Sequence, residues 1–152
     1  MPNLTDYTIE ADLMGAAREA DASTGKVIYL PDMGIINSRY SLALDGNKQQ
    51  AFIRSWEAKR RLDKTMPFAW KAGEWYRFKL QVVQEGEKAI ARGKVWPKNQ
   101  AEPSAWTLEV EDPCPNRHGR PALYAYATGI PPEGNGVGAE IFYDNVKVTP
   151  NK

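Results

Sequence analysis

Apolar and polar residues alternate along much of the chain, and no convincing helical periodicity interrupts the pattern. Tyr7, Ile9, Ala11 and Leu13 occupy every second position of one run, with polar residues between them. The same alternation recurs over 75–83. Successive side chains of a β-strand point to opposite faces, so this pattern predicts half-buried strands with one apolar face.

Turn signals divide the chain into about nine or ten short strands. Hairpin signals stand at Asp45-Gly46-Asn47 and at Glu85-Gly86-Glu87, and the segments 14–32 and 128–138 are predicted to be long loops. Strands at such close spacing are typical of a sandwich or a barrel. We expect one all-β domain spanning residues 1–152. The predicted strands are 7–13, 34–44, 50–57, 64–69, 75–83, 88–96, 106–111, 123–127 and 139–148.

Composition narrows the possible partners. The 152 residues include 20 basic and 19 acidic ones, for a net charge of +1, which makes no case for nucleic acid or an anionic membrane. No apolar run approaches the roughly 18–20 residues that span a bilayer, so we expect no membrane insertion. Cys114 is the single cysteine of the sequence, which excludes an internal disulfide. His118 is the single histidine, so a Ser-His-Asp triad would depend on it alone.

Several segments resemble strands of a known superfamily. The segments 75–82, 94–97 and 142–148 resemble the central, returning and closing strands of concanavalin A-like jelly rolls, with further matches at 53–56 and 119–124. The resemblance covers most of the chain from Asp6 to Pro150. It implies a two-sheet antiparallel jelly-roll β-sandwich, a fold that mostly handles sugars, although one fold hosts many functions.

More narrowly, the chain is similar to the β-sandwich module that follows a quinoprotein-like (PQQ-type) β-propeller in some bacterial exported proteins. This similarity implies a module of a longer chain, with an adjacent β-propeller as a partner. The first six residues show no signal peptide, since they lack a basic segment and an apolar core. The chain is therefore either cytoplasmic or a module of a longer exported protein; we expect the second, with an extracellular or periplasmic location for the parent protein.

Acidic residues supply only part of a catalytic motif. Laminarinase-type glycosidases of the superfamily carry Glu-x-Asp-x-x-Glu on one strand, and Glu10 and Asp12 begin like that motif, but Gly15 stands where its second glutamate belongs. Glu109 and Glu111 lie two positions apart and are the best pair for retaining chemistry, which needs two carboxyls roughly 5 Å apart. Their alternative role is that of a solvated strand face. We predict no catalytic residue, with a small glycoside hydrolase or polysaccharide lyase as an alternative.

A basic and aromatic surface is the stronger candidate for function. Alternation places the basic and tryptophan side chains of three strands opposite their apolar rows, and these strands would form one surface for a polysaccharide or oligosaccharide if they shared a sheet. The alternative is structural, because long basic stems commonly cover sheet faces. Tyr124 and Tyr126 share a face that is either core or cleft wall. The predicted carbohydrate-binding residues are Arg54, Trp56, Arg77, Arg92, Lys94 and Trp96.

The closing strand carries one acidic residue of separate interest. In the resembled superfamily, an aspartate in this strand often holds a structural calcium together with backbone carbonyls, and Asp144 occupies that place here. Its alternative role is a hydrogen bond to backbone at a strand end. The functional hypotheses are a non-catalytic carbohydrate-binding or accessory module, a structural module packed on a β-propeller, and the small enzyme described above.

Overall fold

The computed structural model describes residues 4–19, 28–56, 60–127 and 138–152. All regular elements within these residues are β-strands. The described part of the chain has no helix that is long and apolar enough to cross a membrane. The strands are β1 (Tyr7–Ala16), β2 (Arg18–Glu19), β3 (Ile28–Tyr29), β4 (Asp32–Asn37), β5 (Tyr40–Asp45), β6 (Gln50–Ser55), β7 (Asp63–Pro67), β8 (Trp75–Glu85), β9 (Lys88–Pro97), β10 (Leu108–Asp112), β11 (Ala122–Tyr126) and β12 (Glu140–Pro150).

Ten of these strands form two antiparallel five-stranded sheets. Sheet 1 has the order β10-β9-β8-β1-β12, and sheet 2 has the order β11-β4-β5-β6-β7. The short strands β2 and β3 pair only with each other. The all-β prediction is confirmed, and the chain forms two separate sheets that pack as a sandwich.

The apolar rows of the two sheets form one core between them. The apolar rows predicted for β1 and β8 are confirmed, since every second residue over 7–13 and over 76–82 is at most 3% exposed. Gly93 in β9 allows a close approach of the sheets, because a Cβ there would lie 2.6 Å from a methyl group of Leu42. The largest core side chains that are under 2% exposed include Ile9, Leu13, Met33, Ile35, Leu42, Leu44, Ile53, Phe78 and Leu80.

A buried amide links the sheets across this apolar core. Asn37, at the end of β4, is completely buried, and its Nδ2 donates to the carbonyl oxygens of Tyr7 (2.7 Å) and Leu80 (3.0 Å) in sheet 1. Its Oδ1 accepts a hydrogen bond from the hydroxyl of Ser38 at 3.0 Å. Both hydrogens and the oxygen of the amide are therefore satisfied, as a buried polar group requires.

The single strand predicted over 34–44 is wrong, because a tight turn divides it into β4 and β5. Ser38 and Arg39 have φ values of 48° and 65°, and such positive values are typical of the two-residue turns that suit the twist of a hairpin. The usual Asn-Gly signal is missing. Instead, Ser38 N donates to the hydroxyl of Tyr7 at 3.1 Å, so tertiary contacts stabilise the turn.

The long predicted loops are also shorter than expected where the structure describes them. Within 14–32, β1 continues to Ala16, β2 pairs with β3, and β4 begins at Asp32. The segment 20–27 and residues 128–137 lie outside the described residues. The predicted hairpin turns at 45–47 and 85–87 are confirmed, since they join β5 to β6 and β8 to β9.

Replacing Asn37 by alanine should destabilise the protein more than the same replacement of an exposed asparagine does. The change leaves two buried carbonyl oxygens without their donor, so we expect a loss of about 2–4 kcal/mol in the free energy of unfolding. Urea unfolding followed by tryptophan fluorescence measures this loss. Asn99→Ala, at an exposed position, is the control and should change stability by less than about 0.5 kcal/mol. Equal losses in the two variants would contradict the assigned role of Asn37.

Candidate functional site

The six predicted carbohydrate-binding residues lie on two different sheets. Arg54 belongs to β6 of sheet 2 and Trp56 follows it, whereas Arg77 is in β8 of sheet 1. The remaining three, Arg92, Lys94 and Trp96, are in β9 of sheet 1. The condition that the three strands share a sheet is therefore wrong. Alternation reports the side of a strand on which a residue lies, but it does not report the sheet to which the strand belongs.

The basic residues of β9 are neutralised on the outer face of sheet 1. Arg92 Nε donates to Glu109 at 2.5 Å, and the ammonium group of Lys94 donates to Glu102 at 3.1 Å and to the carbonyl of Pro103 at 2.6 Å. Lys94 is only 7% exposed and Trp96 8%. These side chains anchor neighbouring segments and offer little open surface.

Arg77 is paired in the same way, and its partners are the two acidic residues of the incomplete glycosidase motif. It lies 3.0 Å from Asp12 and 3.8 Å from Glu10. Asp12, which is 1% exposed, also contacts Lys98 at 2.8 Å and accepts a hydrogen bond from Asn145 at 2.7 Å. Burial alone would raise the pKa of Asp12, but these hydrogen bonds outweigh burial and lower it. The Asp12 carboxylate is thus a structural anion.

The second acidic pair lies at the edge of sheet 1. Glu109 and Glu111 are in β10 opposite Arg92 and Ile90 of β9, so the prediction that they share a face is confirmed. Glu109 contacts Arg92, and Glu111 accepts a hydrogen bond from Lys88 at 2.7 Å. Each carboxylate is therefore in an ion pair with β9.

Asp144 lies opposite Asp12 in the pairing of β1 with β12, beside a bulge that ends at Glu10 and Lys147. Its Oδ1 accepts a hydrogen bond from the backbone of Asn145 at 2.8 Å, and Asn145 has a φ of 50°. The described residues contain no group of three or more His, Cys, Asp or Glu side chains placed to hold a metal ion. A calcium ion held by one carboxylate and backbone carbonyls needs no such group, so the calcium at Asp144 stays a prediction.

The outer face of sheet 2 carries a hollow of about 190 Å³, which we call the sheet 2 hollow. A row of residues across neighbouring strands runs Tyr124, Gly34, Ala43, Phe52. Gly34 has no room for a side chain, because a Cβ there would lie 2.2 Å from the carbonyl oxygen of Leu42. The row thus has little side-chain bulk between its two aromatic residues. The described residues that line the hollow are Ser41, Phe52, Arg54, Ser55, Trp56, Arg60 and Tyr124.

Two aromatic rings form one wall of this hollow. Trp56 is 52% exposed and packs edge-to-face against Tyr124, with ring centroids 5.7 Å apart and planes at 76°. The backbone of Trp56 is fixed, since its N–H donates to the carbonyl of Arg39 at 2.7 Å. Tyr124 accepts a hydrogen bond at its own carbonyl from the hydroxyl of Tyr143 at 2.7 Å. Of the two roles considered for Tyr124, cleft wall is the one that the structure shows.

A guanidinium group lies beside these rings. The Arg54 side chain stacks on Phe52, with Cζ 3.7 Å from the ring centroid, and its Nε donates to Asp63 Oδ1 at 2.9 Å. Arg60 donates to the other oxygen of the same carboxylate at 3.3 Å. Burial would raise the pKa of Asp63, but the hydrogen bond from Arg54 and the neighbouring charges lower it. Asp63 is therefore ionised at neutral pH.

A second concavity of about 650 Å³ lies at the turn after β9 and includes Trp75, Lys98 and Asn99. The ammonium group of Lys98 lies 5.4 Å from the centroid of the Trp75 ring and also contacts Asp12. The face of the Trp75 ring is therefore in contact with a cation of the protein, whereas the ring of Trp56 is in edge-to-face contact with Tyr124.

The sequence interpretation missed four residues of the hollow, among them Ser55, which alternation places on the side of β6 opposite Arg54. Phe52 precedes Arg54 and Trp56 at a spacing of two, so period-two alternation alone places it on their side. Ser41 and Arg60 carry no comparable signal, because they reach the hollow through the fold, from β5 and from the segment before β7.

No protein-family model matches this chain, and neither a curated protein nor a solved structure is significantly similar to it. The fold and surface define an all-β protein with two antiparallel five-stranded sheets and an aromatic, basic hollow on one outer face.

The structural role of Asp12 predicts a defined pH dependence. Its pKa is lowered in the folded state, so its contribution to stability is present above the unfolded value of 3.8 and is lost as pH falls through the folded value. We expect Asp12→Asn to lower the free energy of unfolding by about 1–3 kcal/mol at pH 7. Denaturant titrations from pH 7 to pH 2 should show this difference shrinking. Glu140→Gln, at an exposed position, is the control with little expected effect, and a pH-independent difference for Asp12→Asn would contradict the assignment.

Proposed function

We propose that this chain is a non-catalytic carbohydrate-binding module of the concanavalin A-like jelly-roll class, which binds polysaccharide or oligosaccharide in the sheet 2 hollow. The observation that carries the proposal is the half-exposed ring of Trp56, held against Tyr124 and beside Arg54. As part of the same proposal, the parent protein works outside the cell or in the periplasm, where polysaccharides are available.

The arrangement suits a sugar because a pyranose has both apolar and polar surfaces. Its C–H face packs well on a flat aromatic ring, and its hydroxyls need planar, directed hydrogen-bond partners. Trp56 offers the first, and the Arg54 guanidinium offers the second. The hydrogen bond between Trp56 N and the carbonyl of Arg39 reduces the conformational freedom that a ligand would otherwise have to restrict.

The dimensions of the hollow favour contact with one sugar ring at a time. Its volume of about 190 Å³ is below the roughly 300–1,000 Å³ of pockets that enclose a drug-sized ligand. A longer glycan would therefore lie across the surface and place one unit in the hollow. This geometry is compatible with binding along a polymer.

Acid–base chemistry finds little support at the same place. The described residues that line the hollow include no carboxylate, whereas glycoside hydrolysis generally uses two. The nearest acidic group in the ion-pair network, Asp63, has a lowered pKa, and a general acid needs a raised one. These observations favour binding over the alternative of a glycoside hydrolase or polysaccharide lyase.

Removing the exposed ring tests the proposal directly. We expect Trp56→Ala to weaken binding to a responsive polysaccharide about tenfold or more, because the main stacking surface is lost. Affinity gel electrophoresis against a panel of neutral and acidic polysaccharides, followed by calorimetry, measures the effect.

Trp75→Ala is the matched control for this experiment, since it removes a partly exposed tryptophan from the other sheet. It should leave the affinity within about twofold of the wild type, because Trp75 does not line the sheet 2 hollow. If the protein binds no polysaccharide of the panel, or if the two variants weaken binding equally, the proposal for this hollow is contradicted.

An apolar strip favours a second candidate function, a structural module that packs on a neighbouring β-propeller. Val148 pairs with the core residue Ile9, and Leu123 pairs with the core residue Ile35. Both are nevertheless exposed, at 39% and 42%, and Val146 is 50% exposed. Val146 and Val148 belong to β12 and Leu123 to β11, the edge strands of the two sheets at the same side of the sandwich. The sandwich is open along this edge, and exposed apolar strips often mark contact surfaces.

Backbone amide exchange tests this second candidate. In a longer chain that includes the neighbouring domain, we expect slower exchange over 146–150 than in the 152-residue chain, because docking would exclude water from that edge. The strand β7, at the far edge of sheet 2, is the internal control and should exchange equally in both. Identical exchange of β12 in the two chains would count against docking.

A further inference from the structure

The charges beside Trp56 are unequal in number. Arg54 lies 2.9 Å and Arg60 3.3 Å from the two oxygens of Asp63. Among the described residues, two guanidinium groups thus share one carboxylate, which leaves one positive charge in excess at this end of the sheet 2 hollow. On sheet 1, Asp12 and Glu102 are also each shared by two cations, but those cations have further acceptors: Glu10 and the carbonyl of Asn145 for Arg77, and the carbonyl of Pro103 for Lys94.

Arg54 presents a fixed set of donors rather than a mobile charge. Its side chain is 19% exposed, its Nε is held by Asp63, and its plane is stacked on Phe52. Its Nη1 and Nη2 have no protein partner within the described ranges 4–19, 28–56, 60–127 and 138–152. A guanidinium with two free, coplanar N–H groups matches the geometry of a carboxylate or another oxyanion.

Carboxylates at the opposite end of the same face give it a polarity. Arg54, Ser41 and Ile36 lie side by side on β6, β5 and β4. Asp45 and Asp32 stand four residues further along β5 and β4, so at about 3.3 Å per residue their backbones are about 13 Å from that row. Burial raises the pKa of Asp32 and the charge of Asp45 adds to that effect, although a hydrogen bond from the backbone of Gly46 and the charge of Arg54 oppose it. An anionic ligand is therefore repelled at the Asp32 end when both groups are ionised and is attracted at the Arg54 end.

We propose, on the basis of the carbohydrate-binding function proposed above, that the sheet 2 hollow selects sugar units that carry an anionic group. The ring of the sugar stacks on Trp56, and its carboxylate or sulfate accepts hydrogen bonds from Nη1 and Nη2 of Arg54. Arg60, whose side chain is 58% exposed, adds long-range attraction. The shared ligand chemistry is a pyranose with an oxyanion substituent, supplied by a uronic acid or by a sulfate ester.

Three pairs of glycans with matched backbones test this inference. They are cellulose oligosaccharides against their C6-oxidised polyglucuronate, methyl-esterified polygalacturonate against free polygalacturonate, and agarose oligosaccharides against a sulfated galactan. Calorimetry at 50 and 300 mM NaCl gives the affinities. In at least one pair, we expect the anionic member to bind about tenfold more tightly at 50 mM, with a smaller difference at 300 mM. The pair that responds distinguishes a carboxylate from a sulfate.

Variants assign the preference to the two arginines. Arg54→Gln and Arg60→Gln should each weaken binding of the anionic member while leaving its neutral counterpart within about twofold, with the larger effect at Arg54. Arg60→Gln serves alone if Arg54→Gln does not fold. Lys71→Gln removes an 81% exposed charge outside the hollow and should leave both affinities unchanged.

The outcomes separate this inference from the proposed function. Equal, salt-insensitive binding of the neutral and anionic members of every pair overturns the inference but leaves carbohydrate binding intact. A preference for anions that survives both arginine variants also overturns it, because the anionic group would then be bound elsewhere. Binding of no glycan in any pair overturns the inference together with the carbohydrate-binding function.

Discussion

The side-chain amide of Asn37 joins the two sheets by donating to the carbonyl oxygens of Tyr7 and Leu80 across the core. Apolar packing brings sheets together but tolerates sliding, whereas a buried amide requires its partners at defined positions. The next residue, Ser38, donates to Asn37 and to the hydroxyl of Tyr7 and so stabilises the strained turn between β4 and β5. Register between the sheets and the shape of this turn therefore depend on one cluster of hydrogen bonds.

The same turn positions the candidate site. The carbonyl of Arg39, the second turn residue, accepts the N–H of Trp56 at 2.7 Å. A ring that follows the last residue of β6 would otherwise be free to change its direction, but its backbone is tied to the turn, and its ring packs on Tyr124. The contacts that specify the sandwich thus also orient the exposed tryptophan, and they link the stability of the core to the proposed binding surface.

The two outer faces show how the local fold determines the use of a basic side chain. On sheet 1, residues such as Arg92 and Lys94 have acidic partners on the adjacent strand β10 or on the loop that follows β9, so their charge holds the structure together. On sheet 2, Arg54 and Arg60 share Asp63 alone among the described residues. Basic side chains are thus surrounded by acceptors on one face, whereas on the other face Nη1 and Nη2 of Arg54 have no protein partner among the described residues.

These differences also explain which features could be predicted from the sequence. The strands β1 and β8 were predictable because alternation is a local property, and so was the shared face of Arg54 and Trp56. The turn at Ser38 was not, because Tyr7, 31 residues earlier, stabilises its backbone. The sheet to which β6 belongs was likewise not predictable, since strand pairing depends on the whole chain.

Ser41, Phe52 and Tyr124 come from three strands of sheet 2 that are not consecutive in space, because β11 is separated from β5 by β4. A site assembled in this way leaves no contiguous motif, so its chemistry follows from the register of the strands, in which Gly34 and Ala43 separate the two aromatic residues of the hollow.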